Sequence, residues 1–139
     1  MVNFFTENVK TPNLKKKEIK EWIKLVAKLH GKRVGDVNYI FCDDAKILEV
    51  NNQYLQHDYY TDIITFDYTE GAQIAGDIFI SLDTVRSNAV QFNTDNAEEL
   101  HRIIIHGILH LCGFEDKSDE TRTNMTRLEN EALALNSFL

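Results

Sequence analysis

From Asp95 to Gly113 the chain carries one long apolar run with a helix signal at each end. Asp95 and Glu98 stand at capping-box spacing. Gly113 can take a positive φ and stop the helix. The helix they bound is apolar on several faces, which predicts burial through the centre of the domain. The other elements must then pack around it.

His106 and His110 lie four apart on that helix, so their imidazoles project from one face about a turn apart and can reach one metal ion. After the turn at Gly113, Asp116 can bring a carboxylate to the same ion. The pattern HxxxHxxGxxD reads as two nitrogen ligands, a turn and one oxygen ligand. Three protein ligands with a fourth position left to water is the arrangement of a catalytic zinc site. His101, five residues upstream, reads as a satisfied core residue. Cys112, two residues from His110, points away from it and reads as a small buried apolar residue. Metalloproteases with HExxH use the Glu after the first His as general base. Gly107 holds that position here, which argues against a peptidase.

At 139 residues the chain fits a single domain spanning 1–139, long enough to bury a core without staples. Two cysteines, Cys42 and Cys112, make no disulfide framework and favour a reducing compartment. The first residues lack the basic and apolar regions of a signal peptide, and no apolar run approaches a transmembrane span. The expectation is a soluble, cytoplasmic protein without a membrane partner. A net charge of −7 speaks against broad nonspecific attraction to nucleic acid. Lys15, Lys16, Lys17, Lys20 and Lys24 nevertheless cluster, with Lys32 and Arg33 beyond, whereas acid dominates residues 115–131. The lysine run reads as a solvated helix face and is compatible with an RNA partner.

Strands are predicted at residues 2–9, 37–42, 61–68 and 74–82, with the last two antiparallel about Gly71. Helices are predicted at residues 14–29, 45–55 and 84–92, with a last one after Ser118. Ile19, Ile23, Val26 and Leu29 or His30, with Trp22 alongside, form the inner stripe of the first. Asp43 or Asp44 caps the second, whose apolar positions are Ile47, Leu48 and Val50. Met125, Leu128, Ala132 and Leu135 are spaced to pack the last one on the body. There is no internal repeat and no linker. The fold class is α+β, a small mixed sheet packed with helices around a central metal-binding helix.

The motif region resembles the YbeY family of bacterial endoribonucleases and ribosomal-RNA maturation factors. His106, Gly107, Leu109, His110, Leu111 and Gly113 match its H-G-x-L-H-L-x-G-Y-D-H signature. Asn51, Tyr54, Asp58, Thr61, Asp62, Ile63 and Phe66 resemble its N-x-x-Y-x-x-x-D-x-x-T-D-V-L-S-F segment, and Gly76-Asp77-Ile78 its G-D-I. The three blocks run in family order. Two departures from the pattern matter. Asp116 stands where the family usually has a third His, although Glu115 is an alternative oxygen donor. Asp is a legitimate zinc ligand, but its charge makes the centre less positive and its water less acidic than three imidazoles would. Leu55 stands where the family commonly has an Arg suited to phosphate, so either another cation recognises phosphate or the activity is weak or different.

The resemblance implies a metal-dependent endoribonuclease, with one Zn2+ on His106, His110 and Asp116, acting on ribosomal RNA and ribosomal particles. Zinc can polarise a phosphoryl oxygen or activate a water. Asp62, Asp58 and Glu115 are candidates for the general base, each with an alternative role as cap, turn or support for a ligand. A second reading is a non-catalytic ribosome-assembly factor with a structural metal. A third is hydrolysis of another substrate, opposed for peptides by Gly107.

Overall fold

The computed structural model of the protein describes residues 1–55 and 61–136, except for the side chain of Leu55. In chain order the elements are β1 (Val2–Thr6), α1 (Lys16–Leu29), β2 (Arg33–Cys42), α2 (Asp44–Leu55), β3 (Ile63–Asp67), β4 (Gln73–Ser81), α3 (Leu82–Gln91), α4 (Asn96–Leu111) and α5 (Asp119–Ala134). The strands form one mixed sheet in the order β1-β2-β4-β3. β1, β2 and β4 are parallel, and β3 runs antiparallel to β4. Parallel neighbours need a crossover, which α1 supplies between β1 and β2. The β3–β4 connection is a tight reversal in which Gly71 takes a φ of 59°. The α+β expectation therefore holds.

Alternation along the strands divides the core in two. Val37, Tyr39 and Phe41 of β2 and Ile74, Ile78 and Ile80 of β4 join the main core with α1, α4 and α5. Ile64, Phe66 and Phe79 face the other way, against Ile47 and Val50 of α2. α4 is the central helix, burying Leu100, Ile103, Ile104, Ile105, Ile108, Leu109 and Leu111. Full burial of such side chains is worth roughly 1.5–3 kcal/mol each, which fixes this helix against the sheet. Tyr39 crosses the same core and donates its hydroxyl to the Ile104 carbonyl at 2.8 Å. Burial raises its pKa, so it stays a neutral donor.

Several sequence expectations need correction. β1 ends at Thr6, and Asn8 just beyond takes a φ of 60°. Leu29 is exposed, and Ala27 joins Ile19, Trp22, Ile23 and Val26 on the buried face of α1. Leu135 is exposed as well, beyond the end of α5. Leu48 is only half-buried. Asp43 caps α2 through the Lys46 N–H at 2.9 Å. Asp95 accepts from the Ala97 N–H at 3.4 Å but forms no reciprocal box with Glu98. Ser118 and Thr121 close the capping box of α5.

Candidate metal centre

His106 and His110 sit in the last two turns of α4, and their rings meet edge to face with centroids 4.5 Å apart. Gly113, at a φ of 102°, lets the chain leave the helix sharply. The turn carries Asp116 back over the histidines. Its Oδ2 lies 3.3 Å from His106 Nε2 and 3.4 Å from His110 Nε2. Donor atoms of all three residues fall within 4.8 Å of one another.

These spacings fit a tetrahedral ion. Bonds of about 2.0–2.1 Å at tetrahedral angles place ligand atoms about 3.3–3.4 Å apart. The other ring nitrogens are already committed. His106 Nδ1 donates to Glu129 Oε2 at 2.6 Å, and His110 Nδ1 donates to the Phe114 carbonyl at 2.9 Å. Each bond selects the tautomer whose Nε2 lone pair faces the third ligand. Glu115 is exposed and absent from the cavity wall, so the carboxylate at this centre is that of Asp116.

The two imidazoles differ electrostatically. Burial disfavours the charged form of His106, but the Glu129 hydrogen bond and the charges of Glu129, Asp116 and Asp62 outweigh it and raise its pKa. Burial and the neighbouring His106 lower that of His110, against the pull of Asp116.

The centre opens into a cavity of about 680 Å³ alongside β3. Asn51, Thr61, Asp62 and Ile63 from the sequence block at residues 51–66 line it together with both histidines and Asp116. Phe66 instead packs under α2. Tyr54 is exposed, with its ring edge-on to Phe66 at 5.9 Å. Asp62 accepts a hydrogen bond from Asn88 at 3.4 Å, and desolvation raises its pKa even though His106 pulls it down. Asp58 lies outside the described residues, as does the side chain of Leu55.

Glu129 and Arg102 are among the cavity residues that the sequence reading missed, with Asp67, Asn88 and Glu99. Glu129 falls between Leu128 and Ala132 on the buried face of α5, and a carboxylate on an apolar stripe is a usable signal. Arg102 lies one turn before His106 on the same face of α4. Cys112 takes no part in the donor cluster; it is half-buried against the core, with its thiol pushed up to about 11 by burial. Gly107 packs so closely that a Cβ would stand 2.9 Å from Ile78 Cδ1. A protease-type Glu at that position would run into the sheet.

The family described as Endoribonuclease YbeY matches residues 2–136.
The chain belongs to this YbeY family.
The Endoribonuclease YbeY of Phocaeicola vulgatus is 66% identical over 138 residues, covering 99% of this chain and all of that one. That of Parabacteroides distasonis is 63% identical over 134 residues, covering 96% of this chain and 94% of the relative. A Thermotoga maritima protein solved in solution superposes with a TM-score of 0.66 at 30% identity, over 97% of this chain and 91% of that one. YbeY membership thus rests on nearly the whole chain as well as on the histidine motif.

Proposed function

We propose that the chain is a metal-dependent endoribonuclease that cleaves single-stranded RNA in ribosomal RNA processing and ribosome maturation. The observation that carries this reading is the convergence of His106 Nε2, His110 Nε2 and Asp116 Oδ2 at tetrahedral spacing beside an open cavity. It stands in a chain whose relatives are named Endoribonuclease YbeY. One Zn2+ on these three donors suits their nitrogen and oxygen chemistry. Ribosomal RNA and ribosomal particles are the proposed partners, in the cytoplasm. No helix among the described residues is long and apolar enough to cross a membrane. Residues 1–139 act as one domain, since the main core runs from Val2 to Ala132.

When bound, zinc supplies a Lewis acid for a phosphoryl oxygen and lowers the pKa of water. The chain's own residues do the rest. Glu129 and the Phe114 carbonyl orient the two imidazoles. Of the candidate bases among the described residues, Asp62 is the one that lines the cavity, and in this reading it takes the proton from the attacking water; its desolvation supports that role. Water oxygen then bonds to phosphorus as the P–O bond to the departing ribose oxygen breaks. That oxygen leaves with a proton returned from Asp62 or from solvent.

The test is His106→Ala in purified protein, with bound metal and cleavage of a single-stranded RNA measured together. Both are expected to disappear. Cleavage that persists unchanged in this variant overturns the reading. A parent protein that binds zinc and turns over no RNA supports the non-catalytic assembly role, which the acidic cavity lining favours.

A further inference from the structure

The cavity wall contains five carboxylates, Asp62, Asp67, Glu99, Asp116 and Glu129, and Arg102 is the single Lys or Arg among the described residues that line it. These carboxylates oppose the entry of a phosphodiester, and beyond the candidate metal ligands that guanidinium is the fixed positive charge in the wall. We propose that Arg102 binds a non-bridging phosphate oxygen of the RNA, making a second anionic subsite one helical turn from the metal ligands. This rests on the nuclease reading and adds the residue that holds its substrate.

Three features point the same way. Arg102 precedes His106 by four residues, so the two share a face of α4 about 6 Å apart along its axis. Its guanidinium makes two hydrogen bonds, from Nη1 to Glu129 Oε1 at 2.9 Å and from Nη2 to Asn130 Oδ1 at 2.8 Å, and interacts by charge with Glu99. These bonds use two of the five N–H donors of the fork, and the side chain is 25% exposed. An arginine anchored in this way loses little further entropy when it donates to a phosphate oxygen. Finally, Glu129 gives its other oxygen to His106 Nδ1. One carboxylate therefore sets the spacing between the cation and the metal ligand, as an in-place phosphate requires.

The competing explanation is that Arg102 only pins α5 to α4, because Glu129 and Asn130 both belong to α5. The two roles separate in Arg102→Gln and Arg102→Lys, each loaded with zinc and supplied with a single-stranded RNA oligonucleotide over a salt series. Zinc content and thermal melting are recorded alongside. For R102Q the expected result is KM raised roughly ten- to a hundredfold, as for loss of a charge-assisted hydrogen bond. The slope of log affinity against log salt should become shallower by about 0.7, one phosphate contact fewer. R102K should recover the slope but only part of the affinity, because it keeps the charge and loses the fork. R102Q with the parent's KM and salt slope overturns the assignment. So does a loss of affinity that merely tracks loss of zinc. A parent protein that cleaves no RNA overturns the nuclease reading and this assignment together, whereas normal parental cleavage with an unaffected R102Q overturns the assignment alone.

Discussion

Glu129 on α5 holds His106 on α4 through a 2.6 Å bond from Nδ1 to Oε2, and its second oxygen takes Arg102. The carboxylate is nearly buried, so both charge-assisted bonds form in a poorly screened environment. Its position makes α5 part of the candidate metal centre although none of the three candidate ligands lies on α5. A carboxylate behind a ligating imidazole fixes the ring and raises its basicity.

Glu129→Gln keeps the size and one acceptor but removes the charge, so zinc affinity is expected to fall about tenfold or more. Glu129→Ala should cost more, because it removes the acceptor of the His106 N–H and of Arg102 Nη1. Competition against a chromogenic chelator reads both. Parental affinity in the two variants would mean that Glu129 only ties helices together.

The pairing of His106 and His110 was legible in the sequence for a reason that does not apply to Glu129. Helical periodicity puts His106 and His110 on one face whatever the tertiary structure, and Gly113 announces the turn that returns Asp116. Glu129 and Arg102 meet across 27 residues, and only the docking of α5 on α4 brings them together. The same limit explains Leu29 and Leu135. Periodicity says which residues share a face, but the width of the covered stripe depends on the neighbour. The β3–β4 hairpin was legible from its β-branched run and Gly71. The parallel pairing of β1, β2 and β4 leaves no local signal, because the partners are far apart in sequence.

Proton competition gives the site a pH signature. Metal needs neutral imidazoles, and the His106 pKa is raised above 6.5 whereas that of His110 is lowered. Zinc affinity should therefore begin to fall while the pH is still above 6.5, at about tenfold per unit below the His106 pKa. His110 should add a second loss only at lower pH. In metal-free protein the sign for His106 reverses: its raised pKa gives stability that is full below 6.5 and lost as pH rises through the folded value. His110 opposes it, costing stability as pH falls through 6.5. Glu129→Gln removes a main cause of the His106 shift and should move the first onset of zinc loss to lower pH. Affinity measured from roughly pH 5.5 to 8.5 decides the matter. A common onset below 6.5 in parent and variant contradicts the account.

Gly76 on β4 and Gly107 on α4 both admit close packing between the sheet and the helix that carries the histidines, but their tolerance of a methyl group should differ. A Cβ at Gly76 would stand 2.4 Å from the Phe66 carbonyl oxygen and 3.0 Å from Leu111 Cδ2. The first of these is backbone in paired β3 and cannot swing aside. Gly76→Ala is therefore expected to cost about 3 kcal/mol or more, at the upper end of overpacking penalties. At Gly107 the obstacles are methyl groups, Ile78 Cδ1 at 2.9 Å and Ile63 Cδ1 at 3.3 Å. Ala there also gains about 1 kcal/mol of helix propensity over Gly, leaving a net cost of about 1 kcal/mol. Urea unfolding of the metal-free variants measures the difference, and equal losses would refute it. The strand that must shift in Gly76→Ala is also the cavity wall, carrying Ile63 and Thr65 and preceded directly by Asp62. RNA turnover should consequently fall further in Gly76→Ala than in Gly107→Ala at matched folded fraction.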